Sequence, residues 1–289
     1  MVVQVDEPAA LVNGIPRYGA VDNYSESFGF QWNRFAETQI HRSSSDRFWR
    51  TTGWSPAELA GLDILEVGSG AGRFSRVVLE ESEANLYSVD YSSAVEANQR
   101  NNGNVAPGRF HLAQASIYEL PYPDGSFDKV FCLGVLQHTP DFGESVRALV
   151  AKAKPGGEIV VDFYELRGWW TKLHAKYLLR PFAKRMPRDR LLALIDRNAD
   201  WLIRAHGALT GLGLHALTRL LPVVDISGTL PKDLSPAALR DWVVLDTFDM
   251  YSPEFDNPQR TADVAGMMER AGADVTHVEP GIVRAVKRA

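Results

Sequence analysis

Cysteine is nearly absent from this chain, which has one among 289 residues. Cys132 has no second thiol to pair with, so no internal disulfide is possible and a reducing compartment is expected. Because it stands in the apolar run 130–133, we predict a buried, inert thiol rather than a nucleophile. The seven histidines are scattered and form no cluster at the spacing of metal ligands, so we predict no metal site.

Long apolar runs are missing as well. No stretch reaches the roughly 18 apolar residues that would predict a membrane-spanning helix. Residues 1–8 carry acids and lack the basic-then-apolar order of a signal peptide. The chain is 45% apolar with a net charge of −5, which allows a substantial core and argues against nucleic acid as a partner. We therefore expect a cytoplasmic protein of one large domain, or one and a half.

An apolar strand that ends in Glu66 runs into three alternating glycines, Gly68, Gly70 and Gly72. Glycine has no Cβ and tolerates positive φ, so a nucleotide-like ligand could lie against bare backbone here. A dinucleotide fingerprint would place its third glycine at position 73, which is Arg73. An acid at the strand end suits a cationic ligand group better than a pyrophosphate. The alternative is a glycine-rich turn without a ligand.

A second predicted strand, 85–89, ends at Asp90. A carboxylate at the tip of this strand can accept hydrogen bonds from both hydroxyls of a ribose. The alternative is a helix N-cap, although Ser92 or Ser93 could take that position and leave Asp90 to a ligand.

At this point the chain resembles class I S-adenosylmethionine-dependent methyltransferases, and most closely their ubiquinone/menaquinone-type domain. The motifs that carry the resemblance are, in order, Glu66–Gly72, Asp90, 120–128, 134–141 and 154–157. The resemblance covers about residues 60–165 and extends to 245–289. Segments 24–35 and 245–253 are also similar to a bacterial subgroup in secondary-metabolite and surface-polysaccharide pathways.

The resemblance, together with strand patterns that alternate with helical ones over 62–164, predicts an α/β fold. We expect a Rossmann-like, seven-stranded sheet with helices on both faces, an N-terminal helical lid and a helical cap inserted after the fifth strand. The predicted strands are 62–67, 85–89, 109–113, 127–133, 157–163, 274–279 and 282–287. The predicted domains are 1–55 (arm and lid, irregular over 1–22), 56–165 (cofactor-binding), 166–240 (cap) and 241–289 (completion of the sheet).

The resemblance implies S-adenosylmethionine as cofactor and assigns residues to it. Its methionine portion would lie along the turn Gly68, Ser69, Gly70 and Gly72, with Glu66 ordering the turn and attracting the ammonium. Leu133 and Gly134 would pass under the sulfonium, and Asp90 would hold the ribose.

The adenine would lie between Tyr91 and Ile117. The family often has an acid where this chain has Ser116, an uncharged acceptor. That departure weakens the cofactor site unless a neighbour such as Gln114 compensates.

The aromatic cluster of residues 24–35 predicts a helix from about Ser25. It is expected either to close over the cofactor, with Tyr24 or Arg34 meeting the cofactor carboxylate, or to pack on the domain as an amphipathic helix.

Methyl transfer needs a base only when the acceptor must lose a proton. His138 follows the fourth strand and titrates near neutral pH, so it is the first candidate; shaping the pocket is its alternative role. Asp249 and Tyr251 are the second candidates for the catalytic base. The alternative is that these residues belong to a structural loop anchored by Phe248 and Pro253.

Residues 165–190 hold eight Lys or Arg against Glu165 and Asp189, with aromatics interleaved. Such a segment could meet an anionic membrane surface, a lipid-linked substrate or an acidic substrate, or it could be a solvated helix face.

The sequence therefore predicts a methyltransferase, monomeric or homodimeric, that acts on a small-molecule acceptor. We expect the acceptor atom to be a hydroxyl oxygen of a natural product or sugar. The alternatives are C-methylation of a quinone-like or aromatic ring, and a non-catalytic protein that binds S-adenosylmethionine as a pathway partner.

Overall fold

The computed structural model describes residues 3, 5–19, 23–35, 41–168, 173–230 and 234–289, without the side chains of 41, 42 and 229. Backbone contacts separate two compact units. The first unit comprises 1–166 and 255–289, and the second comprises 167–254.

The first unit contains a sheet with nine strands in the described part of the chain. These are β1 (Ala10–Val12), β2 (Ile15–Arg17), β3 (Asp63–Val67), β4 (Asn85–Asp90), β5 (Phe110–Gln114), β6 (Phe127–Leu133), β7 (Ala153–Asp162), β8 (Ala273–Glu279) and β9 (Ile282–Lys287). Their order is β1-β2-β5-β4-β3-β6-β7-β9-β8. Strands β5, β4, β3, β6 and β7 are parallel, and β9 pairs antiparallel with both β7 and β8. The carboxyl ends of the five parallel strands therefore share one edge, where open α/β sheets bind their ligands.

The helices of the first unit lie between and before these strands. In chain order the helices of the described residues are α1 (Glu26–Arg34), α2 (His41–Thr52), α3 (Arg73–Glu81), α4 (Val95–Asn102), α5 (Phe142–Lys152), α6 (Ala175–Ala183), α7 (Arg188–Gly211), α8 (His215–Thr218), α9 (Ile226–Thr229), α10 (Pro236–Tyr251) and α11 (Thr261–Arg270). Helices α6 to α10 belong to the second unit. Among the described helices, none combines the length and apolar composition needed to cross a membrane.

The sheet is buried on both faces. Adjacent residues of β3 show this, because Ile64 and Leu65 are both fully buried but belong to different hydrophobic clusters. Such two-sided burial explains why these strands lack the strict apolar–polar alternation of a sheet with one exposed face. Cys132 on β6 is buried as predicted, and burial raises the pKa of its thiol well above the ordinary range.

The predicted α/β sheet is confirmed, and six of its seven strands lie within one residue of their predicted ends. Strand β7 begins at Ala153, earlier than its predicted start at residue 157. The expectation that 1–22 is irregular is wrong for residues 10–17, which form the β1–β2 hairpin. Asn13 and Gly14 turn this hairpin with φ of 52° and 77°, as an Asn-Gly pair favours. Strand β2 then pairs with β5, which gives nine strands instead of seven.

Helix α10 crosses the boundary that was expected at residue 240. Its first turn is stabilised by Ser235, whose Oγ accepts a hydrogen bond from the Ala238 N–H at 3.2 Å, and Pro236 occupies the first position. Both features favour helix initiation, so the helix starts before 240 and runs to Tyr251. The rest of the domain division stays a prediction.

Candidate active site at the carboxyl edge of the sheet

The turn between β3 and α3 requires glycine at three positions. Gly68, Gly70 and Gly72 have φ of 83°, 54° and 84°, a region that other L-residues rarely adopt. A Cβ on each would also meet a neighbour: Val135 Cγ2 at 2.3 Å, Trp32 Nε1 at 3.0 Å and Asn98 Oδ1 at 2.1 Å, respectively. The missing side chains therefore let the chain itself pack closely around the turn.

Glu66 lies under this turn in a buried polar network. One carboxylate oxygen accepts hydrogen bonds from Ser75 Oγ of α3 at 2.5 Å and Ser88 Oγ of β4 at 2.7 Å. Asn98 Nδ2 of α4 donates to both serine hydroxyls, at 3.1 and 3.3 Å. Burial raises the pKa of Glu66 to about 7, although the two hydroxyl donors act in the opposite direction. Glu66 thus joins the end of β3 to α3 and β4.

Asp90 ties the tip of β4 to the same turn. Its Oδ2 accepts from the Gly70 N–H at 2.8 Å, and its Oδ1 accepts from the Ser92 N–H at 2.8 Å and Ser92 Oγ at 2.6 Å. Burial raises its pKa despite these three donors. Asp90 does not cap α4, whose N-cap residue is Ala94. Its carboxylate is therefore fixed at the carboxyl edge of the sheet.

Helix α1 packs across this edge. Its Gly29 approaches the start of α4 so closely that a Cβ would lie 2.3 Å from Ser93 Oγ. The Tyr24 and Tyr91 rings are 5.4 Å apart, and the rings of Phe28 and His138 are 5.0 Å apart. The helix therefore contacts the loops after both β4 and β6.

Arg34 lies exposed in the last turn of α1. Tyr24 is partly buried, and burial is the main cause that raises the pKa of its hydroxyl. Their expected contact with the cofactor carboxylate stays a prediction.

His138 ends a short 3₁₀ turn after β6 and is 5% exposed. Its Nδ1 lies 3.0 Å from the carbonyl oxygen of Phe255, and its ring packs edge-on against Tyr164 at 5.5 Å. A carbonyl oxygen only accepts, so Nδ1 carries the hydrogen and donates it. In the neutral ring, Nε2 is then the basic nitrogen.

Asp162 is a functional candidate that the sequence did not single out. It ends β7 opposite Leu133, and its carboxylate accepts from the Gly134 N–H and, at 2.7 Å, from an Arg47 guanidinium nitrogen of α2. An acid at the end of the predicted fifth strand was the available signal, the same one that marked Glu66 and Asp90. Asp162 thus lies beside Gly134, one of the residues expected near the sulfonium.

The adenine-side candidates lie at the end of β5. Ser116 and Ile117 are buried, and Ser116 Oγ accepts from the Tyr118 N–H at 3.2 Å. The Gln114 amide, expected as a compensating group, bonds instead to Arg17 at 2.7 Å and to the Tyr91 carbonyl at 2.9 Å.

Asp249 and Tyr251 belong to α10 of the second unit. The expectation of a loop at these residues is wrong, because the helix continues to Tyr251. The Tyr251 side chain is 4% exposed, and its hydroxyl has no hydrogen-bond partner among the described residues. Their catalytic roles stay predictions.

Several buried polar atoms near the carboxyl edge have no hydrogen-bond partner among the described residues. They are Ser27 Oγ and Gln31 Oε1 of α1, Ser69 Oγ of the glycine turn and Gln137 Oε1 of the turn after β6. Each such atom costs about 1–3 kcal/mol when left unpaired, so a polar ligand that pairs with these four would gain binding free energy. The described residues contain no group of three or more His, Cys, Asp or Glu that could hold a metal ion.

Comparison with known proteins agrees with this geometry. Residues 65–161 match the family model described as Methyltransferase domain. The tRNA U34 carboxymethyltransferase of Nautilia profundicola is 29% identical over 110 residues, 38% of this chain and 37% of that protein. The ubiquinone/menaquinone biosynthesis C-methyltransferase UbiE of Vibrio parahaemolyticus is 30% identical over 105 residues, 35% of this chain and 40% of that protein. The ubiquinone biosynthesis O-methyltransferase of Pseudomonas aeruginosa is 34% identical over 110 residues, 37% of this chain and 46% of that protein.

The chain thus spans less than half the length of these curated relatives. The matched region runs from β3 to β7 and includes the glycine turn, Asp90 and His138. Over residues 65–161, the chain is therefore similar to the methyltransferase domain of these relatives.

Proposed function

We propose that this protein transfers the methyl group of S-adenosylmethionine to a hydroxyl oxygen of a small-molecule acceptor such as a natural product or sugar. One observation carries the cofactor part of the proposal: Asp90 at the tip of β4 accepts a 2.8 Å hydrogen bond from the Gly70 N–H of the alternating-glycine turn. This contact orders the turn and keeps a carboxylate at the edge where ribose hydroxyls are bound in such sheets.

The residues at this edge suit the cofactor chemically. The amide oxygens of Gln31 and Gln137, which have no partner within the described part of the chain, are acceptors, and the cofactor offers an ammonium group and ribose hydroxyls as donors. Gly68, Ser69, Gly70 and Gly72 would line its methionine portion, while Glu66 orders that turn.

The remaining contacts follow from the same assignment. Asp90 would accept from the ribose, Tyr91, Ser116 and Ile117 would hold the adenine, and Leu133 and Gly134 would lie near the sulfonium. Tyr24 or Arg34 would meet the carboxylate. When bound, the cofactor supplies an electrophilic methyl on sulfur.

His138 would act on the acceptor. Its Nδ1–H is held by the Phe255 carbonyl, so the ring presents Nε2 as the atom that takes the hydroxyl proton. Phe28 and Tyr164 pack on the imidazole and limit its rotation. A ring held in one tautomer and one orientation is ready for general-base catalysis without rearrangement.

The acceptor atom separates this proposal from its closest alternative. The relatives include one named a C-methyltransferase and one named an O-methyltransferase. An activated ring carbon is already nucleophilic and depends less on a base, so the orientation of His138 favours oxygen. Asp249 and Tyr251 are kept as secondary catalytic candidates.

Calorimetric titration of the purified protein with S-adenosylmethionine and S-adenosylhomocysteine tests the cofactor site. We expect micromolar binding of both, abolished in Asp90→Ala and retained in Asp274→Ala, a variant of a β8 residue whose carboxylate pairs with Arg288. Circular dichroism of both variants checks that they fold. Failure of the folded wild-type protein to bind either compound would contradict the proposal.

The acceptor class is tested by release of S-adenosylhomocysteine in the presence of hydroxylated aromatics, sugars or quinone-like rings. Methyl ethers as products would support O-methylation. Ring-methylated products would replace it with C-methylation, and cofactor binding without turnover on any acceptor would favour a non-catalytic role.

A further inference from the structure

The second unit exposes large apolar side chains on helix α6. Leu178 and Phe182 are 74% and 72% exposed, and Leu179 is also exposed. Positions 178, 179 and 182 lie on one helical face because residues three and four apart are neighbours on a helix. Leu173, just before α6, is exposed as well. Soluble proteins seldom leave such clusters uncovered without an interaction partner.

A second exposed apolar segment adjoins the start of this helix. Leu217 and Leu220 are exposed, the latter at 66%. The Ala175 N–H donates to the Arg219 carbonyl oxygen at 2.9 Å, so the backbone beside Leu173 meets the backbone beside Leu220. We call Leu173, Leu178, Leu179, Phe182, Leu217 and Leu220 the apolar patch.

Positive charge is concentrated in the sequence segment that carries the apolar patch. Residues 173–220 contain nine Lys or Arg and three Asp, a balance of +6, whereas the whole chain carries −5. Two of the three acids, Asp196 and Asp200, pair with Arg240 of α10. Lys184 and Arg185 are exposed directly after α6. Burial, followed by the charges of Arg219 and Lys176, lowers the pKa of His174 to about 4.

We propose that the apolar patch inserts into the headgroup region of an anionic lipid surface, with Lys184 and Arg185 meeting the lipid phosphates. Exposed leucines and a phenylalanine with adjacent basic residues are the chemistry that interfacial helices use for this purpose. A second copy of the chain would bring two strongly positive segments together, which opposes self-association through this surface. The inference does not depend on methyl transfer, because lipid binding needs neither cofactor nor acceptor.

Co-sedimentation of the full chain with vesicles tests the proposal. Vesicles of phosphatidylcholine with phosphatidylserine are compared with vesicles of phosphatidylcholine alone, at low and at high salt. We expect binding to the anionic vesicles that weakens as salt rises. The double variant Lys184→Glu/Arg185→Glu should bind at least about tenfold more weakly, and Phe182→Ser about tenfold more weakly.

Matched controls lie in the first unit. Val278→Ser changes an exposed apolar residue of β8, and Arg288→Glu changes an exposed basic residue, so both should leave vesicle binding unchanged. Equal loss in the patch and control variants would overturn the proposal, as would absence of binding to anionic vesicles at low salt. Sedimentation velocity without lipid measures the oligomeric state. A wild-type dimer that becomes a monomer in Phe182→Ser would overturn the proposal and assign the apolar patch to contact with a second copy of the chain.

Discussion

The two halves of the carboxyl edge are built from different contacts. At β3 and β4, Glu66 and Asp90 accept hydrogen bonds from hydroxyls and backbone N–H groups of neighbouring elements. At β6 and β7, His138 is held by one carbonyl and two aromatic rings, and Asp162 pairs with Arg47. The first half is therefore fixed by the polar network of the chain, while the second presents a titratable ring among aromatics.

This difference bears on how binding and turnover divide between the halves. Where the binding groups are already held in place, cofactor binding requires little free energy to order them. A half that holds a basic nitrogen in one orientation affects the chemical step instead. If the division is correct, substitutions at β3 and β4 change affinity or stability, and substitutions after β6 change turnover.

The largest effect is expected for Gly72→Ala, on stability. The variant must place an alanine at φ of 84°, which costs about 1–2 kcal/mol, and its Cβ meets Asn98 and Asn102, which adds about 1–3 kcal/mol. We expect a loss of about 4 kcal/mol in urea unfolding followed by circular dichroism. Gly108→Ala is the matched control, because Gly108 has φ of 82° and no atom within 4 Å of its Cβ position. Equal losses of unfolding free energy in the two variants would mean that the close packing around Gly72 does not contribute to the effect of the substitution.

The glycine turn also shows what the sequence can predict. An apolar run, an acid and alternating glycines are local signals, so the sequence predicts β3 and the turn almost to the residue. The hairpin at Asn13-Gly14 and the helix start at Ser235-Pro236 carry local signals of the same kind, a turn dipeptide and a capping residue followed by proline.

Other features depend on residues far apart in the chain. Arg47 and Asp162 are 115 positions apart, and their pairing follows from how α2 packs beside β7. The contacts of Trp32 with Gly70 and of Phe28 with His138 likewise require the tertiary arrangement of α1. Local sequence patterns therefore predict most of the residues at the site but not which residues contact one another.

A loss of turnover is expected for His138→Gln. The variant removes the basic nitrogen, so kcat should fall by about a hundredfold to ten-thousandfold with the hydroxyl acceptor. The affinity for S-adenosylmethionine, measured by calorimetry, should stay within a few-fold. His277→Gln on β8 is the control for a general effect of removing a histidine. If kcat of His138→Gln stays within a few-fold of wild type, His138 only shapes the pocket and the proposed division of the edge fails.

The pH dependence of stability tests the buried network around Glu66. Its pKa is raised to about 7 in the folded protein, so the group favours folding below pH 4.5, its ordinary pKa, and this contribution is lost as pH rises through 7. Wild type should therefore lose up to about 3 kcal/mol between those pH values relative to Glu66→Gln. Urea unfolding across this pH range measures the difference. Exposed Glu119→Gln should follow wild type at every pH, and a Glu66→Gln curve parallel to both would show that Glu66 does not titrate in this range.

The smallest effect is expected for Trp32→Ala, and it decides whether α1 belongs to the cofactor half of the edge. The Trp32 indole packs 3.0 Å from the Cβ position of Gly70, so its loss uncovers the turn without removing a core residue. Loss of one aromatic contact costs about 1 kcal/mol, so we expect S-adenosylmethionine to bind about five- to tenfold more weakly. Trp201→Ala, at an exposed tryptophan of α7, should leave the affinity unchanged. Unchanged affinity in both variants would mean that α1 packs on the domain without closing over the cofactor. The cofactor-binding half of the edge would then include the glycine turn but not α1.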